Sequence, residues 1–225
     1  MKHVGIVIAV KQEASVLLDD PYWKWKEEPH QVFRSTKTKC MVALSGVGKV
    51  YASYALMLIA EHSDIILSVG TSASLRGHAM GDIVLCREFV EHDMDVSGIG
   101  VPHGVTPFSE MKSSIIHTIG DDRIERGVRE YCETNGIPFS YGRSMSGDMF
   151  LDEREIAHEK YERFRADVAD MESAAIAKLC SFKLSKPCIA LRYVSDNADS
   201  ESSADWTEEV NRAAETFNVL LKSAL

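Results

Sequence analysis

The chain has 225 residues, of which 45% are hydrophobic and 26% are charged, and these proportions exclude a collagenous, low-complexity or wholly disordered protein. A chain of this length is expected to bury roughly 70% of its unfolded surface, which is enough for a core and an enclosed pocket. The formal net charge of −9 argues against nonspecific binding to nucleic acid or to an anionic membrane, so a small molecule is the expected partner.

The first apolar run and the cysteines predict the compartment. Residues 4–10 are apolar and are followed by charged Lys11 and Glu13, so the run is far shorter than the ~20 apolar residues of a membrane span. The five cysteines are odd in number and include no C-x-x-C pair, which indicates free buried thiols of a reducing compartment. We expect a cytoplasmic protein without a membrane segment.

Five short apolar runs predict buried strands, because they lack the alternation of a half-exposed strand. In chain order they cover residues 4–10, 40–44, 65–69, 83–86 and 188–194. Segments in which apolar residues recur at helical spacing lie between and after these runs. The predicted helices cover residues 49–61, 109–134 (two stretches broken near Gly120), 153–164, 172–182 and 206–225.

This alternation of strands and helices predicts an α/β fold, with a parallel or mixed sheet covered by helices on both faces. The chain has no linker rich in Pro, Gly or Ser and no internal repeat, so residues 1–225 are predicted to form a single domain. Binding sites of such sheets lie at the carboxyl ends of the strands. The small and polar segments predicted to lie at strand ends are residues 12–13, 45–49, 70–74, 146–150, 170–173 and 192–196.

Three local patterns that would indicate other chemistry are incomplete. Residues 45–49 (S-G-V-G-K) are not a phosphate-binding loop, because Ala43 and Val50 stand where that motif needs Gly and Ser/Thr. We interpret them as a tight strand-to-helix turn. Residues 92–95 (H-D-M-D) lack a second ligand cluster and are expected to form a hydrogen-bonded loop rather than a metal site. A G-x-S-x-G nucleophile motif is absent from the sequence.

Three carboxylates at predicted strand and helix ends are candidates for acid–base chemistry. They are Glu13, Glu172 and Asp196, and Arg192 lies four residues before Asp196. Each carboxylate taken singly is also explained as a helix cap. Together they could supply both halves of a reaction, since one carboxylate can stay ionised to activate water while another is held protonated to donate.

The order of motifs along the chain resembles the nucleoside phosphorylase/nucleosidase superfamily, and in particular the bacterial 5′-methylthioadenosine/S-adenosylhomocysteine nucleosidases. The similarity spans nearly the whole chain. The motifs are G-I-V-I-A-V-K-Q-E at 5–13, S-G-V-G-K-V at 45–50, V-G-T-S at 69–72, G-D-I-V at 81–84, H-D-M-D-V at 92–96, S-G-D-M-F at 146–150, D-M-E-S-A-A at 170–175 and R-Y-V-S-D-N-A-D at 192–199. The resemblance implies a three-layer α/β/α sandwich with a mixed central sheet.

The resemblance also implies roles for the candidate residues. Asp196 matches the general acid that protonates N7 of the departing purine, a contribution typically worth about 10²–10⁴-fold in rate. Glu13 matches the carboxylate that deprotonates the attacking water, with Arg192 and Thr71 near that water. Glu172 matches the residue that binds the ribose hydroxyls and stabilises the oxocarbenium-like sugar.

Further residues match the family's substrate contacts. Met171 corresponds to a ribose contact, Phe150 to the aromatic ring that stacks on the base, and Leu151 to the residue whose backbone recognises adenine. Ser195 corresponds to the residue that holds the acid. The residues implied in the apolar pocket for the 5′-alkylthio group are Val47, Ile99 and Trp206.

The sequence departs from the family pattern at two places. The family's G-S-A-G-G turn is G-T-S-A-S here, so that Ala73 and Ser74 replace glycines, which adopt positive φ without strain. Residues 96–101, in the 5′-pocket region, lack the aromatic side chains that many of these nucleosidases have there. Both departures bear on substrate preference and on activity.

Three functions remain to be compared. The resemblance favours hydrolysis of an adenosine thioether to adenine and a 5-thioribose. A phosphorylase would need cations where this chain has Ser68 and Glu13, and a carboxylate repels phosphate. A weakly active nucleoside-binding protein is suggested only by Ala73 and Ser74. The family implies a homodimer, and it implies neither a cofactor nor a metal.

Overall fold

The computed structural model describes residues 2–225. Within them, ten strands form one mixed sheet. The strands are β1 (Val4–Ile8), β2 (Trp25–Glu28), β3 (Val32–Ser35), β4 (Cys40–Leu44), β5 (Ile65–Ser74), β6 (Ile83–Glu91), β7 (Ile116–His117), β8 (Phe139–Ser146), β9 (Val168–Asp170) and β10 (Cys188–Asp196). The α-helices are α1 (Lys11–Asp19), α2 (Lys49–Ala60), α3 (Asp122–Asn135), α4 (Arg154–Phe164), α5 (Ser173–Leu179) and α6 (Ser202–Ala224).

The sheet closes partly on itself around β5. Its strand order is β10-β6-β8-β9-β5-β1-β4-β3-β2, with β7 beside β6 and an additional pairing of β10 with β5. β5 is ten residues long. It runs parallel to β1 over its first half and to β10 from Ile66 to Ala73, and its end pairs antiparallel with β9. The carboxyl ends of β1, β4, β5 and β10 therefore meet at one edge of the sheet.

Helices cover both faces of the sheet, which confirms the predicted α/β sandwich. On one face α1, α3 and α6 pack through residues such as Leu17, Val128 and Phe217, which are almost fully buried. On the other face α2 and α5 pack through Leu56 and Ile176. Burial of large aliphatic and aromatic side chains of this kind contributes about 1.5–3 kcal/mol each. No helix within residues 2–225 is long and apolar enough to cross a membrane.

The predicted helix over residues 109–120 is wrong. This segment consists of turns and the short strand β7. The hydroxyl oxygens of Ser109 and Ser113 accept hydrogen bonds from backbone N–H groups two residues further on, a local pairing that competes with a helix. The second predicted stretch is confirmed as α3, whose first turn is capped by the side chain of Asp121.

The remaining predictions are confirmed with shifted boundaries. All five apolar runs are strands, and the patterns at 49–61, 153–164, 172–182 and 206–225 correspond to α2, α4, α5 and α6. Three strands extend past their apolar runs, because residues up to Ser74, Glu91 and Asp196 still pair in the sheet. Sequence reasoning missed α1, β2, β3, β8 and β9.

Candidate active site

A cavity of about 440 Å³ lies where the carboxyl ends of β1, β5, β9 and β10 meet the starts of α1, α5 and α6. Ten of the residues singled out from the sequence line it: Glu13, Val47, Thr71, Phe150, Leu151, Met171, Glu172, Ser195, Asp196 and Trp206. Arg192 and Ile99 are not among the lining residues. The rest of the wall consists of Ala9, Val10, Ser72, Ala73, Met149, Ala169, Asp170 and Ser203.

Glu13 is held at the inner end of the cavity by the end of β5. Its Oε1 accepts hydrogen bonds from the backbone N–H of Thr71 at 2.7 Å and from the Thr71 hydroxyl at 2.8 Å. The N–H of Val10 lies 3.4 Å from Oε2. Burial raises the pKa of Glu13, whereas the Thr71 hydrogen bonds and then the charge of Arg192 lower it. These groups act on the ionised form that a base needs, but they do not outweigh burial, so the pKa of Glu13 stays above its usual value.

Arg192 lies behind the cavity wall and joins three strands. Its side chain is 2% exposed; Nη2 donates to Ser68 Oγ at 2.5 Å, and Nε lies 3.0 Å from Oδ2 of Asp170. The Nε–H is not aligned for a hydrogen bond, so the contact with Asp170 is an ion pair. Gly70 allows this close packing, because a Cβ there would lie 2.7 Å from Nη1 of Arg192 and 3.2 Å from Oε1 of Glu13.

Glu172 points into the cavity rather than capping its own helix. It occupies the position before α5, but its side chain makes no cap hydrogen bond there; Oε1 instead accepts from the N–H of Gly48 at 2.8 Å. Burial, and then the negative charge of Asp170, raise the pKa of Glu172 to about 7. Glu172 therefore carries a proton for part of the time at neutral pH.

The S-G-V-G-K segment is a strand-to-helix turn, as predicted, and it also serves the cavity. Gly48 has a φ of +96°, which is open to glycine without strain. A Cβ there would lie 2.9 Å from Oδ1 of Asp148. This backbone geometry presents the Gly48 N–H to Glu172.

The H-D-M-D segment is the hydrogen-bonded loop that the sequence predicted. Asp93 accepts from Nζ of Lys49 at 2.6 Å and from the N–H of Asp148 at 2.9 Å, while Asp148 accepts from the N–H of Lys49 at 2.8 Å. This cluster joins the turn before α2 to the loop after β8. It thereby links the segment that contacts Glu172 to the segment that carries Phe150.

Asp196 is the last residue of β10, in agreement with its predicted place at a strand end. The hydroxyl of Ser195 donates to its Oδ2 at 2.9 Å, and the N–H of Ala198 donates to its Oδ1 at 3.1 Å. Burial is the largest influence on Asp196 and raises its pKa. A carboxyl group in this setting keeps its proton to a higher pH than a free aspartic acid does.

Apolar side chains form the outer part of the cavity. Leu151 is buried, whereas Phe150 and Val47 are 43% and 49% exposed. Ile99 is 65% exposed and lies outside the cavity. The region implied for a 5′ substituent therefore has Val47 and Trp206 from the predicted set, without Ile99.

Sequence reasoning assigned no role to Asp170, although it noted the D-M-E-S segment at a strand end. Its carboxylate accepts from the hydroxyls of Ser144, Ser146 and Ser173 at 2.5–2.7 Å and from the N–H groups of Glu172 and Ser173. The pKa of Asp170 is lowered, because the charge of Arg192 and these hydroxyls outweigh burial. The signal that could have indicated a role for Asp170 was its place at the end of a buried strand, β9, which was itself not predicted.

The two glycine replacements do not obstruct the cavity. Ala73 and Ser74 lie in β5 and pair with Ala169 and Val168 of β9. Neither has a positive φ, so a Cβ introduces no backbone strain at these positions. Ala73 contributes its side chain to the cavity wall.

Comparison with known proteins agrees with the fold. The profile of the Phosphorylase superfamily matches residues 3–225. The chain is similar to an aminodeoxyfutalosine nucleosidase of Helicobacter pylori strain J99, with 28% identity over 99% of this chain and 98% of that protein. Two crystal structures match at a TM-score of 0.88, 26% identity, and coverage of 100% of this chain and 98% of theirs. One is 5′-methylthioadenosine/S-adenosylhomocysteine nucleosidase from Neisseria meningitidis in complex with methylthio-immucillin-A, and the other is a mutant of the Helicobacter pylori enzyme MTAN with 5′-methylthioadenosine in the active site.

The matched profile covers almost the entire chain and the whole cavity. The chain therefore belongs to the Phosphorylase superfamily.

The raised pKa of Glu172 predicts how stability depends on pH. Between pH about 4.5 and about 7, the folded protein keeps the Glu172 proton and the unfolded chain releases it, so the wild-type free energy of unfolding falls as pH rises through this window. Glu172→Gln keeps an acceptor for the Gly48 N–H and removes the titration. The compared quantity is the Tm of the variant minus the Tm of wild type at the same pH. We expect this difference to be larger at pH 8 than at pH 5 by at least about 2 °C, the shift that roughly 1 kcal/mol produces in a protein of this size.

Differential scanning calorimetry at both pH values measures this effect. Glu208→Gln is the matched control, because Glu208 is exposed on α6. An equal Tm difference between variant and wild type at pH 5 and pH 8 would contradict the raised pKa of Glu172.

Proposed function

We propose that the protein is a nucleosidase that hydrolyses the N-glycosidic bond of 5′-methylthioadenosine and S-adenosylhomocysteine, releasing adenine and a 5-thioribose. One observation carries the proposal: two buried carboxyl groups, Glu13 and Asp196, line the same cavity in different hydrogen-bonding environments. Burial raises the pKa of both groups, but Glu13 also accepts two hydrogen bonds from Thr71 and faces the charge of Arg192, which oppose this rise and act on the ionised form. The pKa of Asp196 is raised by burial, which favours a proton donor.

Asp196 starts the reaction as the general acid. It gives its proton to N7 of adenine while the bond between N9 and C1′ breaks, and the bonding electron pair leaves with the base. Protonation makes adenine a neutral leaving group and is typically worth about 10²–10⁴-fold in rate. Ser195 and Ala198 hold the carboxyl group in place by their hydrogen bonds.

Glu13 completes the reaction as the general base. A water molecule attacks C1′, and its proton passes to Glu13, so the products are adenine and the free sugar. The charge that develops on the ribose is positive, and Glu172, near its hydroxyls, stabilises it electrostatically when it is ionised. Phe150 and Leu151 bind the base, and Met171 contacts the ribose. Thr71 orients Glu13 through two hydrogen bonds, and the charge of Arg192 favours its ionised form.

The charges at the cavity favour water over phosphate as the nucleophile. Among the lining residues of the described chain, Glu13, Asp170, Glu172 and Asp196 are acidic and none is Lys or Arg. Arg192, the nearest buried cation, is engaged with Ser68 and Asp170 behind the wall. A phosphate dianion would meet these carboxylates without a compensating cation.

The outer cavity supports a thioether as the 5′ substituent. Val47, Met149 and Trp206 are apolar or aromatic, and a methylthio group gains both buried area and sulfur–aromatic contact against such side chains. Aminodeoxyfutalosine is the second candidate substrate, because a relative with 28% identity is named for its cleavage. The five cysteines are free and buried, in keeping with the cytoplasmic location that we propose.

The first test of this proposal is product identification. The purified protein is incubated with methylthioadenosine, adenosylhomocysteine, 5′-deoxyadenosine, aminodeoxyfutalosine, adenosine and inosine, each with and without phosphate. We expect adenine and free methylthioribose from methylthioadenosine, at the same rate in both buffers. A phosphate requirement or a sugar 1-phosphate product would overturn hydrolysis. Cleavage of aminodeoxyfutalosine alone would overturn the thioether substrate and leave the hydrolytic reaction.

Asp196→Asn tests the general acid. The amide keeps the size of the side chain but cannot deliver a proton to N7, so we expect kcat to fall by at least ~100-fold. Asp122→Asn, at an exposed position in the first turn of α3, is the control and should retain wild-type kcat. Stopped-assay measurement of adenine release quantifies both variants. A near-normal kcat in the Asp196 variant would show that a group other than Asp196 protonates N7.

We further propose a homodimer formed through α2. One face of this helix and the turn before it exposes apolar and aromatic side chains at helical spacing: Val47, Val50, Tyr51, Tyr54 and Met57, each 49–77% exposed. A continuous exposed patch of this kind is typical of protein interfaces. Because Val47 also lines the cavity, the partner's surface would border the 5′ region.

Light scattering with size-exclusion chromatography tests the dimer. We expect wild type at twice the 25.0 kDa chain mass and the double variant Val50→Glu/Tyr54→Glu as a monomer, because burying new charges in an interface is strongly unfavourable. Ile119→Glu, at a position 76% exposed outside α2, should stay dimeric. A monomeric wild type would overturn this assembly.

A further inference from the structure

We propose that Trp206 is a positioning residue for the general base, Glu13: its indole N–H holds the Thr71 hydroxyl in the orientation that donates to Glu13. This inference rests on the proposed function, in which Glu13 activates water. It differs from the role that the family resemblance implied for Trp206, a wall of the 5′ pocket.

A directed chain of hydrogen bonds carries the inference. Nε1 of Trp206 lies 3.0 Å from Oγ1 of Thr71, and this hydroxyl lies 2.8 Å from Oε1 of Glu13. An indole nitrogen can only donate, and an ionised carboxylate can only accept. The direction of both hydrogen bonds is therefore fixed from Trp206 through Thr71 to Glu13.

This direction matters most when Glu13 is ionised. The charged groups that face Glu13 are Arg192 from β10 and Glu172 from the start of α5, and their effects on its charge oppose each other. The Thr71 side-chain hydrogen bond lowers the pKa of Glu13 against the effect of burial. Because a hydroxyl that accepts a hydrogen bond becomes a better donor, the Trp206 N–H strengthens this effect.

The first turns of α6 serve both ends of the proposed reaction. Trp206 donates to Thr71 and so acts on Glu13, while the side chain of Ser202, at the start of the same helix, lowers the pKa of Asp196 against the effect of burial. Ser202 also accepts from the N–H of Asp199, which fixes the loop after β10. The position of one helix end therefore determines the environment of both carboxyl groups.

Trp206→Phe separates the positioning role from a role in packing. Phenylalanine keeps an aromatic wall for the 5′ substituent and removes only the N–H donor. We expect kcat for methylthioadenosine to fall by about fivefold to tenfold, within the range of one charge-assisted hydrogen bond acting through a hydroxyl. KM should stay within about twofold, because ground-state contacts are kept.

The pH profile supplies a readout that a structural role would not change. Loss of the indole donor weakens the Thr71 hydrogen bond to the charged form of Glu13, so the pKa of Glu13 rises. The acid limb of the kcat profile should then move to higher pH by about half a unit. Trp25→Phe is the matched control, since its indole donates to the carbonyl of Leu17 at 2.7 Å and lies outside the cavity; its profile should equal that of wild type.

A double-mutant cycle completes the test. Thr71→Val removes the hydroxyl, so Trp206→Phe should cause no further shift of the acid limb in that background, whereas it should still do so with Thr71→Ser. An unchanged kcat and profile in Trp206→Phe, or an equal shift with and without the Thr71 hydroxyl, would overturn the positioning role.

The outcome is also distinguishable from failure of the proposed function. If wild type cleaves no nucleoside, the nucleosidase proposal fails. The hydrogen-bond relay from Trp206 through Thr71 to Glu13 is then tested by ¹³C NMR titration of the Glu13 carboxyl in wild type and Trp206→Phe. An identical Glu13 titration in the two proteins would overturn the relay on its own.

Discussion

The ion pair between Asp170 and Arg192 is the constraint on which the rest of the cavity depends. Both side chains are at most 2% exposed, and a buried charge is tolerated only when it is paired and hydrogen-bonded. Asp170 accordingly takes three serine hydroxyls and two backbone N–H groups, in addition to the charge of Arg192. These contacts connect β8, β9, the start of α5 and β10. They fix the backbone from which Glu172 and Asp196 project.

The same pair sets the charge balance of the cavity. Arg192 is shared between Asp170, which it keeps ionised, and Glu13, whose ionised form it favours. The charge of Asp170 in turn raises the pKa of Glu172 to about 7. One buried cation thus faces Asp170 and Glu13, and of the four carboxyl groups only Asp170 has a lowered pKa, since burial raises those of Glu13, Glu172 and Asp196. A further anion such as phosphate has no partner in this arrangement.

The sequence predicted most of the fold because its buried strands are continuous apolar runs, and it predicted the site because polar residues follow those runs. Strands with polar or exposed residues escaped the same reasoning: β8 carries Ser140, Tyr141 and Arg143, and β2 reads W-K-E-E. The helix predicted over residues 109–120 failed because serine side chains pair locally with the backbone there. Asp170 and the bond from Trp206 to Thr71 escaped for another reason. Their roles arise from contacts between residues far apart in sequence, 135 positions in the case of Trp206 and Thr71.

The extended backbone of β5 accommodates Ala73 and Ser74 in place of glycines, and the same strand carries Thr71, to which Trp206 donates. Because β5 stays extended through Ser74 and pairs with β9, residues 71–74 need no positive φ and can carry side chains. Thr71 stands where the family pattern already has a hydroxyl residue; it lies between Glu13 and α6, and the indole N–H of Trp206 donates to its hydroxyl. The orientation of the general base Glu13 therefore depends on the side chains of Thr71 and Trp206, and a substitution of Trp206 on α6 is expected to change it.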